Sequence, residues 1–136
     1  MLVEGDDLNE PIADHMRGIL DGHIVLSRDL AARQQFPAID VPGSISRLIS
    51  QLTTPHQRRL AAAFIGCLAD YARAEDLINI GAYSRGNNPR VDLAVDRIDA
   101  LRAYLRQGVE RPCRLDESFT QLQRIFPEIT ASEVAQ

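Results

Sequence analysis

The sequence predicts a chain in two parts, an α/β part followed by an all-α part. Short apolar runs and short helix-like segments alternate as far as about residue 52, and this alternation is typical of α/β structure. Beyond that point the apolar residues recur at three- and four-residue steps, which is the pattern of amphipathic helices. We therefore expect two domains, residues 1–52 and 53–136, and a mostly parallel sheet in the first.

The first part has the order strand, helix, strand, helix, strand. Strands are predicted at the start of MLVEGDD, in HIVLS and in PAIDV, and short helices in PIADHMRGIL and RDLAARQQ. Pro11 suits the first turn of the first helix, because N–H groups in that turn have no acceptor within the helix and proline therefore loses no hydrogen bond. Gly22 suits the end of the helix. The Pro/Gly/Ser stretch after PAIDV indicates a loop at the boundary between the two parts.

The second part is predicted to contain three helices. The first runs from Pro55 to Gly81 and the second from Val91 to Gln107, with Gly108 and Pro112 ending the pattern. The third covers DESFTQLQRIF, and the tail PEITASEVAQ is expected to fray. The apolar stripe of the long helix consists of Leu60, Phe64, Cys67, Leu68, Tyr71, Leu77 and Ile78.

Composition excludes several classes of function. A net charge of −4 and a pI of 5.3 give no general attraction to nucleic acid or anionic membrane. No apolar run approaches the ~18 residues that a membrane helix needs, and the acidic N-terminus has no signal-like stretch. The two cysteines, Cys67 and Cys113, are too few for a disulfide framework, so we expect free thiols in a reducing cytosol.

The absence of lysine is the sharpest compositional fact. All 15 basic residues are arginine. A Walker A phosphate loop needs a lysine to carry charge to the β- and γ-phosphates, so this sequence contains no such loop. It contains no Schiff-base lysine either.

Few side chains suggest chemistry by themselves. Asp6 and Asp7 follow an apolar run, where paired acids suit a cation or a basic partner; a solvated loop before a helix is the ordinary alternative. Ser44 and Ser46 lack a His–acid pair for nucleophilic catalysis. Arg47 suits phosphate, because its planar fork donates two hydrogen bonds and stays charged, but without further context an exposed salt bridge is the favoured interpretation of its position.

The remaining candidates favour structural roles. The three histidines have no metal-ligand spacing, so we expect no protein-bound metal site; they are His15, His23 and His56. Phe36 is an aromatic residue of a kind most often found in a core.

Three blocks together carry a specific pattern, namely EGDD-N-EPIAD, ILDGHIVLSR and PAID followed by SISR. They resemble the end of the nucleotide-binding domain in the ATPases of flagellar and type III protein export, which are relatives of the catalytic subunit of rotary ATP synthases. AEDLINIGAYSRGNNPRVDLAVDRIDALRAYLRQG resembles the C-terminal helical domain of the same family. The resemblance covers residues 2 to about 126 and is closer to the flagellar branch than to the injectisome branch.

The resemblance implies the C-terminal end of a RecA-like P-loop domain followed by a helical domain, in a cytoplasmic homohexameric ring that hydrolyses ATP with Mg²⁺ at subunit interfaces. Arg47 matches the family's arginine finger, which acts on the neighbouring subunit's nucleotide. Phe36 matches an aromatic position against the adenine of its own subunit, and Tyr104 matches a second position near that pocket. The chain alone is expected to be inactive and to bind no nucleotide tightly.

Partners are also implied by the resemblance. Asp6, Asp7 and Asn9 match the loop that faces the central coiled-coil stalk in rotary relatives. The helical domain is expected to meet export chaperone–cargo complexes, with a regulatory subunit and a peripheral position at the inner-membrane export apparatus. The sequence departs from the family at Pro42 and Gly43, where a leucine and a small or basic residue are more usual.

Two alternative functions stay open from the sequence. The chain is either part of an export ATPase, of the flagellar type or alternatively of the injectisome type, or a non-catalytic module, from a truncated gene, that binds chaperone–cargo or the stalk. A fragment of a rotary ATP synthase subunit is disfavoured, because SRGNNPRVD stands in the place of that subunit's acidic lever.

Overall fold

The computed structural model describes residue 7 and residues 9–130. A small α/β part precedes a bundle of three longer helices, and the predicted first strand lies outside the described residues. The elements in chain order are α1 (Pro11–Ile19), β1 (Gly22–Leu26), α2 (Arg28–Ala32), β2 (Ile39–Ser46), α3 (Ile49–Leu52), α4 (Pro55–Asn79), α5 (Pro89–Leu105) and α6 (Leu115–Ile125).

The prediction of a mostly parallel sheet is wrong for the described strands. β1 and β2 pair antiparallel as a two-stranded sheet. The crossover of a parallel pair usually contains a full helix that packs across the sheet, whereas the connection over residues 27–38 contains only the five-residue α2. The short α2 turns the chain back beside β1, so the strands run in opposite directions.

Strand β2 also extends beyond the predicted PAIDV run. It continues through the Pro/Gly/Ser stretch to Ser46, which the sequence predicts as a loop. The ladder is irregular, because His23 pairs with Ile45 and Val25 pairs with Asp40. Residues 41–44 of β2 therefore lie opposite one residue of β1, and this bulge lets proline and glycine occur within a paired strand.

The long helix α4 begins and ends as its sequence predicts. Thr54 and Gln57 form a capping box, in which each side chain accepts a hydrogen bond from the other's main-chain N–H. Pro55 occupies the first turn. Gly81 follows the helix with φ of 71°, a left-handed conformation that glycine adopts without strain. At the next helix, the Asn88 side chain caps α5.

The core lies between α4, α5 and α6. Its buried members are Leu60, Phe64, Cys67, Ala94, Leu101, Leu122 and Phe126. Val41 of the β2 bulge also packs against this cluster, so the small sheet is joined to the helical part by a side chain of the bulge.

The start of the C-terminal tail is held in place, which corrects the expectation of fraying for residues 127–130. The Gln123 amide donates to the carbonyls of Phe126 and Ile129, and Arg59 donates to the carbonyl of Thr130 at 2.8 Å. Ile129 packs against the core. Polar composition alone did not reveal these contacts, because one partner, Arg59, lies on the distant helix α4 and the others depend on how the chain turns after α6.

Candidate functional site

Arg47 stands directly after β2 and is exposed. Its main-chain N–H donates to the carbonyl of Asp21 at 2.8 Å. Its guanidinium donates to the carbonyls of Gly18, at 3.0 Å, and Arg17, at 3.2 Å. These carbonyls lie in the last turn of α1, where the negative end of the helix dipole favours a cation. Within the described part of the chain, the guanidinium pairs with no carboxylate.

The bulge before Arg47 is closed by its own side chains. Asp40 accepts the N–H of Gly43 on its carboxylate at 3.1 Å. The hydroxyl of Ser44 donates to the carbonyl of Asp40 at 2.6 Å and accepts the N–H of Val25 at 3.0 Å. Ser44 is thus fully engaged in joining β1 to β2, and the arrangement gives it no role as a nucleophile.

Phe36 lies at the turn between α2 and β2 with half of its side chain exposed (50%). Its carbonyl accepts the N–H of Gln107, after α5, at 2.9 Å. The preceding Gln35 is buried, and its N–H donates to the carbonyl of Leu30 at 2.9 Å. The backbone on both sides of the ring is fixed, while the ring itself presents an open face.

Tyr104 lies on α5 and belongs to the helical core. Its ring meets Phe64 edge to face, with centroids 5.4 Å apart. Desolvation by burial raises the pKa of its phenol, partly offset by a hydrogen bond with Ser118. Among the described residues, its ring contact is to Phe64 and not to Phe36. Phe36 and Tyr104, the two residues predicted to lie near adenine, are connected indirectly: the N–H of Gln107, three positions after Tyr104, donates to the carbonyl of Phe36.

A cavity of about 410 Å³ lies between β2 and the helices α4 and α5. Glu75 stands in its wall, 3.9 Å from Arg33 and 3.6 Å from Arg102. Arg102 also lies over the ring of Tyr71, 5.0 Å from its centroid. The lining includes none of Phe36, Tyr104 and Arg47, although it includes Gln35 and Leu105, the chain neighbours of the first two.

The acidic loop is described only in part, and Asp6 lies outside the described residues. Asp7 and Asn9 are exposed. The carboxylate of Asp7 accepts the N–H of Asn9 at 2.9 Å, and its carbonyl accepts the N–H of Glu10 at 3.1 Å. The loop is a turn before α1 that leaves both side chains open to solvent.

The sequence interpretation missed two charged groups in the helical part. Buried Asp70 on α4 pairs with Arg73 and with Arg90 of α5, the latter at 3.0 Å. In the loop after α4, the Tyr83 hydroxyl donates to the carboxylate of Asp92, and this hydrogen bond raises the pKa of Tyr83. In the sequence, Asp70 lies on the apolar face of a predicted helix, and that position was the available signal for a buried carboxylate with a cationic partner.

The cysteines are free, as predicted. Cys67 is buried, and burial raises the pKa of its thiol. Cys113 is exposed, with its sulfur 3.3 Å from the hydroxyl of Ser118. No helix in the described part of the chain has the length and apolar character to cross a membrane.

Two family descriptions match the chain in succession. Residues 1–46 match the nucleotide-binding domain of the ATP synthase alpha/beta family. Residues 53–124 match the C-terminal domain of the type III secretion ATPase EscN. The fold is therefore the end of an ATP synthase-type nucleotide-binding domain followed by a helical C-terminal domain of the EscN type.

Curated relatives and solved structures agree with these matches. The chain is 50% identical over 122 residues to the flagellum-specific ATP synthase of Bacillus subtilis, covering 90% of this chain and 28% of the relative. It is 45% identical over 128 residues to the SPI-2 type 3 secretion system ATPase of Salmonella typhimurium, covering 94% and 30%. The assembled ATPase EscN of enteropathogenic E. coli superposes with a TM-score of 0.88 at 36% identity, covering 92% of this chain and 30% of EscN.

The chain thus spans less than a third of the length of these relatives. Flagellar and secretion ATPases give overlapping identities, since the flagellum-specific ATP synthase of Salmonella typhimurium is 42% identical. Assignment to the flagellar branch stays a prediction.

Proposed function

Because this chain belongs to the family of the type III secretion and flagellar ATPases, we propose that it is the C-terminal portion of an enzyme that hydrolyses ATP to assist protein export. In this proposal six copies of the whole enzyme form a ring. Each copy contributes Arg47 to the nucleotide site of its neighbour. The assembled state of EscN supports the proposal of a ring.

The observation that carries the proposal is the state of Arg47. Its guanidinium is exposed and is held by two main-chain carbonyls rather than by a carboxylate. Exchanging these contacts for the γ-phosphate of a neighbour breaks no ion pair among the described residues. An arginine placed on the transferring phosphoryl group stabilises the charge of the transition state, with effects of roughly 10³–10⁵ in rate.

Phe36 is proposed to stack on the adenine of its own subunit's nucleotide. Its half-exposed ring and fixed backbone support this role, because a rigid aromatic face loses little conformational freedom when it binds a base. Tyr104 is proposed to support the same pocket from the helical side. Its packing against Phe64 favours an indirect contribution through the Gln107 segment.

The remaining catalytic parts are assigned to the portion of the enzyme outside this chain. With no lysine available, the phosphate loop that binds ATP and Mg²⁺ comes from the preceding part of the nucleotide-binding domain. Magnesium supplies charge neutralisation on the phosphates when bound. We expect the isolated chain to hydrolyse no ATP, and measurable turnover by the pure chain contradicts this division of roles.

The proposal includes partners of the whole enzyme. EscN has been solved with its central stalk EscO. We propose that the loop formed by Asp6, Asp7 and Asn9 faces such a stalk, with the exposed Asp7 carboxylate and Asn9 amide available for contact. The helical domain is proposed to meet chaperone–cargo complexes and a regulatory subunit, at a peripheral position on the inner-membrane export apparatus.

A chimeric enzyme tests the catalytic role. This chain replaces the matching C-terminal part of the Bacillus subtilis relative, which shares 50% identity with it. We expect Arg47→Ala to lower kcat about 1,000-fold, with assembly unchanged. Arg114→Ala is the matched control, because Arg114 is an exposed arginine of the helical part whose ion pair within the described residues is with nearby Asp116. An unchanged kcat in Arg47→Ala refutes the proposal.

A further inference from the structure

The strand that leads to Arg47 is interrupted by the β2 bulge, residues 41–44. On one side of it Val25 pairs with Asp40, and on the other side His23 pairs with Ile45. The stretch that ends in Arg47 is therefore not aligned by a continuous ladder. Its position relative to the first half of β2 depends on how the bulge is closed.

Three residues of β2 close the bulge, and we call Asp40, Gly43 and Ser44 the clasp. The Ser44 hydroxyl uses both of its hydrogen-bonding roles, accepting from Val25 of β1 and donating to the carbonyl of Asp40. The Asp40 carboxylate accepts the N–H of Gly43. These bonds satisfy main-chain groups that the interrupted ladder does not pair.

A side chain at position 43 would displace the Asp40 carboxylate. A Cβ atom there would lie 2.6 Å from a carboxylate oxygen of Asp40, so the Asp40 side chain would have to move and its hydrogen bond with the N–H of Gly43 would be disturbed. Beside Arg47 the constraint comes from the main chain, because a Cβ atom on Gly22 would lie 2.6 Å from the carbonyl oxygen of Ile45. Glycine at position 22 thus permits the close approach of β1 and β2 next to Arg47.

The bulge is also anchored on the helical part. Val41 packs against the core cluster of the helices, and Pro42 lines the cavity between β2 and the helices. The bulge therefore has one end on the helical core and the other on the strand that carries Arg47.

We propose that the clasp is a positioning device for Arg47 and that Ser44 is its central positioning residue. This inference rests on the proposed function, because it concerns the placement of the same arginine. Without the Ser44 hydroxyl, residues 45–46 keep their ladder pairs with Gly22 and His23, but the bulge no longer fixes that register against the first half of β2. A slip of one residue moves the chain by about 3.4 Å and turns each side chain to the other face. Phosphoryl transfer depends on placement at a finer scale than this.

The test uses the chimeric enzyme with Ser44→Ala. We expect kcat to fall about ten-fold while KM for ATP stays within about two-fold, because a misplaced catalytic group affects the transition state more than the bound substrate. Ser44→Thr keeps the hydroxyl and is expected to retain most of the activity. A kcat of Ser44→Ala equal to that of the parent overturns the proposal.

A double-mutant cycle separates positioning from simple destabilisation. If Ser44 acts through Arg47, Ser44→Ala lowers kcat no further when Arg47 is already alanine. A further ten-fold loss in the Arg47→Ala background shows a merely structural role and overturns the inference. If Arg47→Ala itself has no effect, the proposed function fails first, so the two failures are distinguishable.

A second variant covers the case in which Ser44→Ala does not fold. Gly43→Ala disturbs the same clasp through Asp40 and leaves the Ser44 hydroxyl in place. We expect the same pattern: Gly43→Ala lowers kcat in the parent enzyme and has no effect on kcat in the Arg47→Ala background. Full activity of a folded Gly43→Ala enzyme counts against the clasp.

Discussion

The guanidinium of Arg47 lies on the carbonyl oxygen of Gly18, 3.0 Å away, in the last turn of α1. A helix C-terminus attracts a cation with roughly 0.3–1 kcal/mol at an exposed site. This hold is weak compared with a charge-assisted bond to phosphate. The resting position therefore keeps the arginine ordered without preventing its transfer to a neighbouring nucleotide.

Substitution of Phe36 tests the adenine contact. Phe36→Leu removes the stacking face but keeps an apolar side chain, so we expect KM for ATP to rise about five-fold in the chimeric enzyme. Phe36→Tyr keeps the face and serves as the control. Steady-state kinetics measure both variants, and equal KM values for leucine and tyrosine argue against stacking.

The helical core sets the stability of the second part. Leu101 is fully buried (0% exposed), so Leu101→Ala is expected to lower the free energy of unfolding by about 3 kcal/mol through lost burial and a residual cavity. Leu115→Ala is the matched control, because Leu115 is also helical but is 71% exposed. Its expected cost is below about 0.5 kcal/mol. Denaturant unfolding of the chain measures both, and similar costs contradict the assigned core.

The ion pair between Arg97 and Glu128 predicts a pH dependence of stability. The hydrogen bonds from Arg97 lower the pKa of Glu128 below its ordinary value of 4.5. A carboxyl whose folded pKa is lowered stabilises the fold above the unfolded pKa, and this stabilisation is lost as the pH falls through the folded pKa. We expect Glu128→Gln to lower the melting temperature at neutral pH and to have a smaller effect at about pH 3, because the stabilisation diminishes as the pH falls toward the folded pKa.

Glu110→Gln is the control for that measurement, because Glu110 forms no ion pair with any described residue. Thermal unfolding of the three proteins is compared at both pH values. A difference between the parent and Glu128→Gln that persists unchanged in acid assigns the effect to packing instead of charge.

The helices were predictable because their signals are local. Periodic apolar residues, Pro55 at the start and Gly81 as the stop specify α4, and the helix ends at Asn79, just before that glycine. The strand direction was not predictable, since it depends on the length of α2 and on tertiary pairing. The division at residue 52 stays a prediction of the sequence.

For the candidate site, the sequence identified residues but not their environment. The resemblance pointed to Arg47 and Phe36, whose roles stay predictions. The carbonyls that hold Arg47 come from α1, and the clasp depends on a bulge that no sequence period marks. The sequence predicts a loop at Pro42 and Gly43, because their position in a paired strand depends on the hydrogen bonds of Asp40 and Ser44, which the sequence does not reveal.

The central claim is that Arg47 acts on the nucleotide of a neighbouring subunit. The most direct test mixes two inactive forms of the chimeric enzyme, Arg47→Ala and a form whose phosphate-loop lysine, in the Bacillus subtilis portion, is replaced by alanine. In mixed assemblies the first form supplies intact phosphate loops and the second supplies intact arginines, so some interfaces are complete.

ATP hydrolysis is measured for each form alone and for the equimolar mixture after reassembly. If Arg47 acts on the neighbour's nucleotide, the mixture recovers activity well above the sum of the two forms alone. A mixture that assembles and shows only that sum places Arg47 outside the neighbour's site and refutes the proposed role.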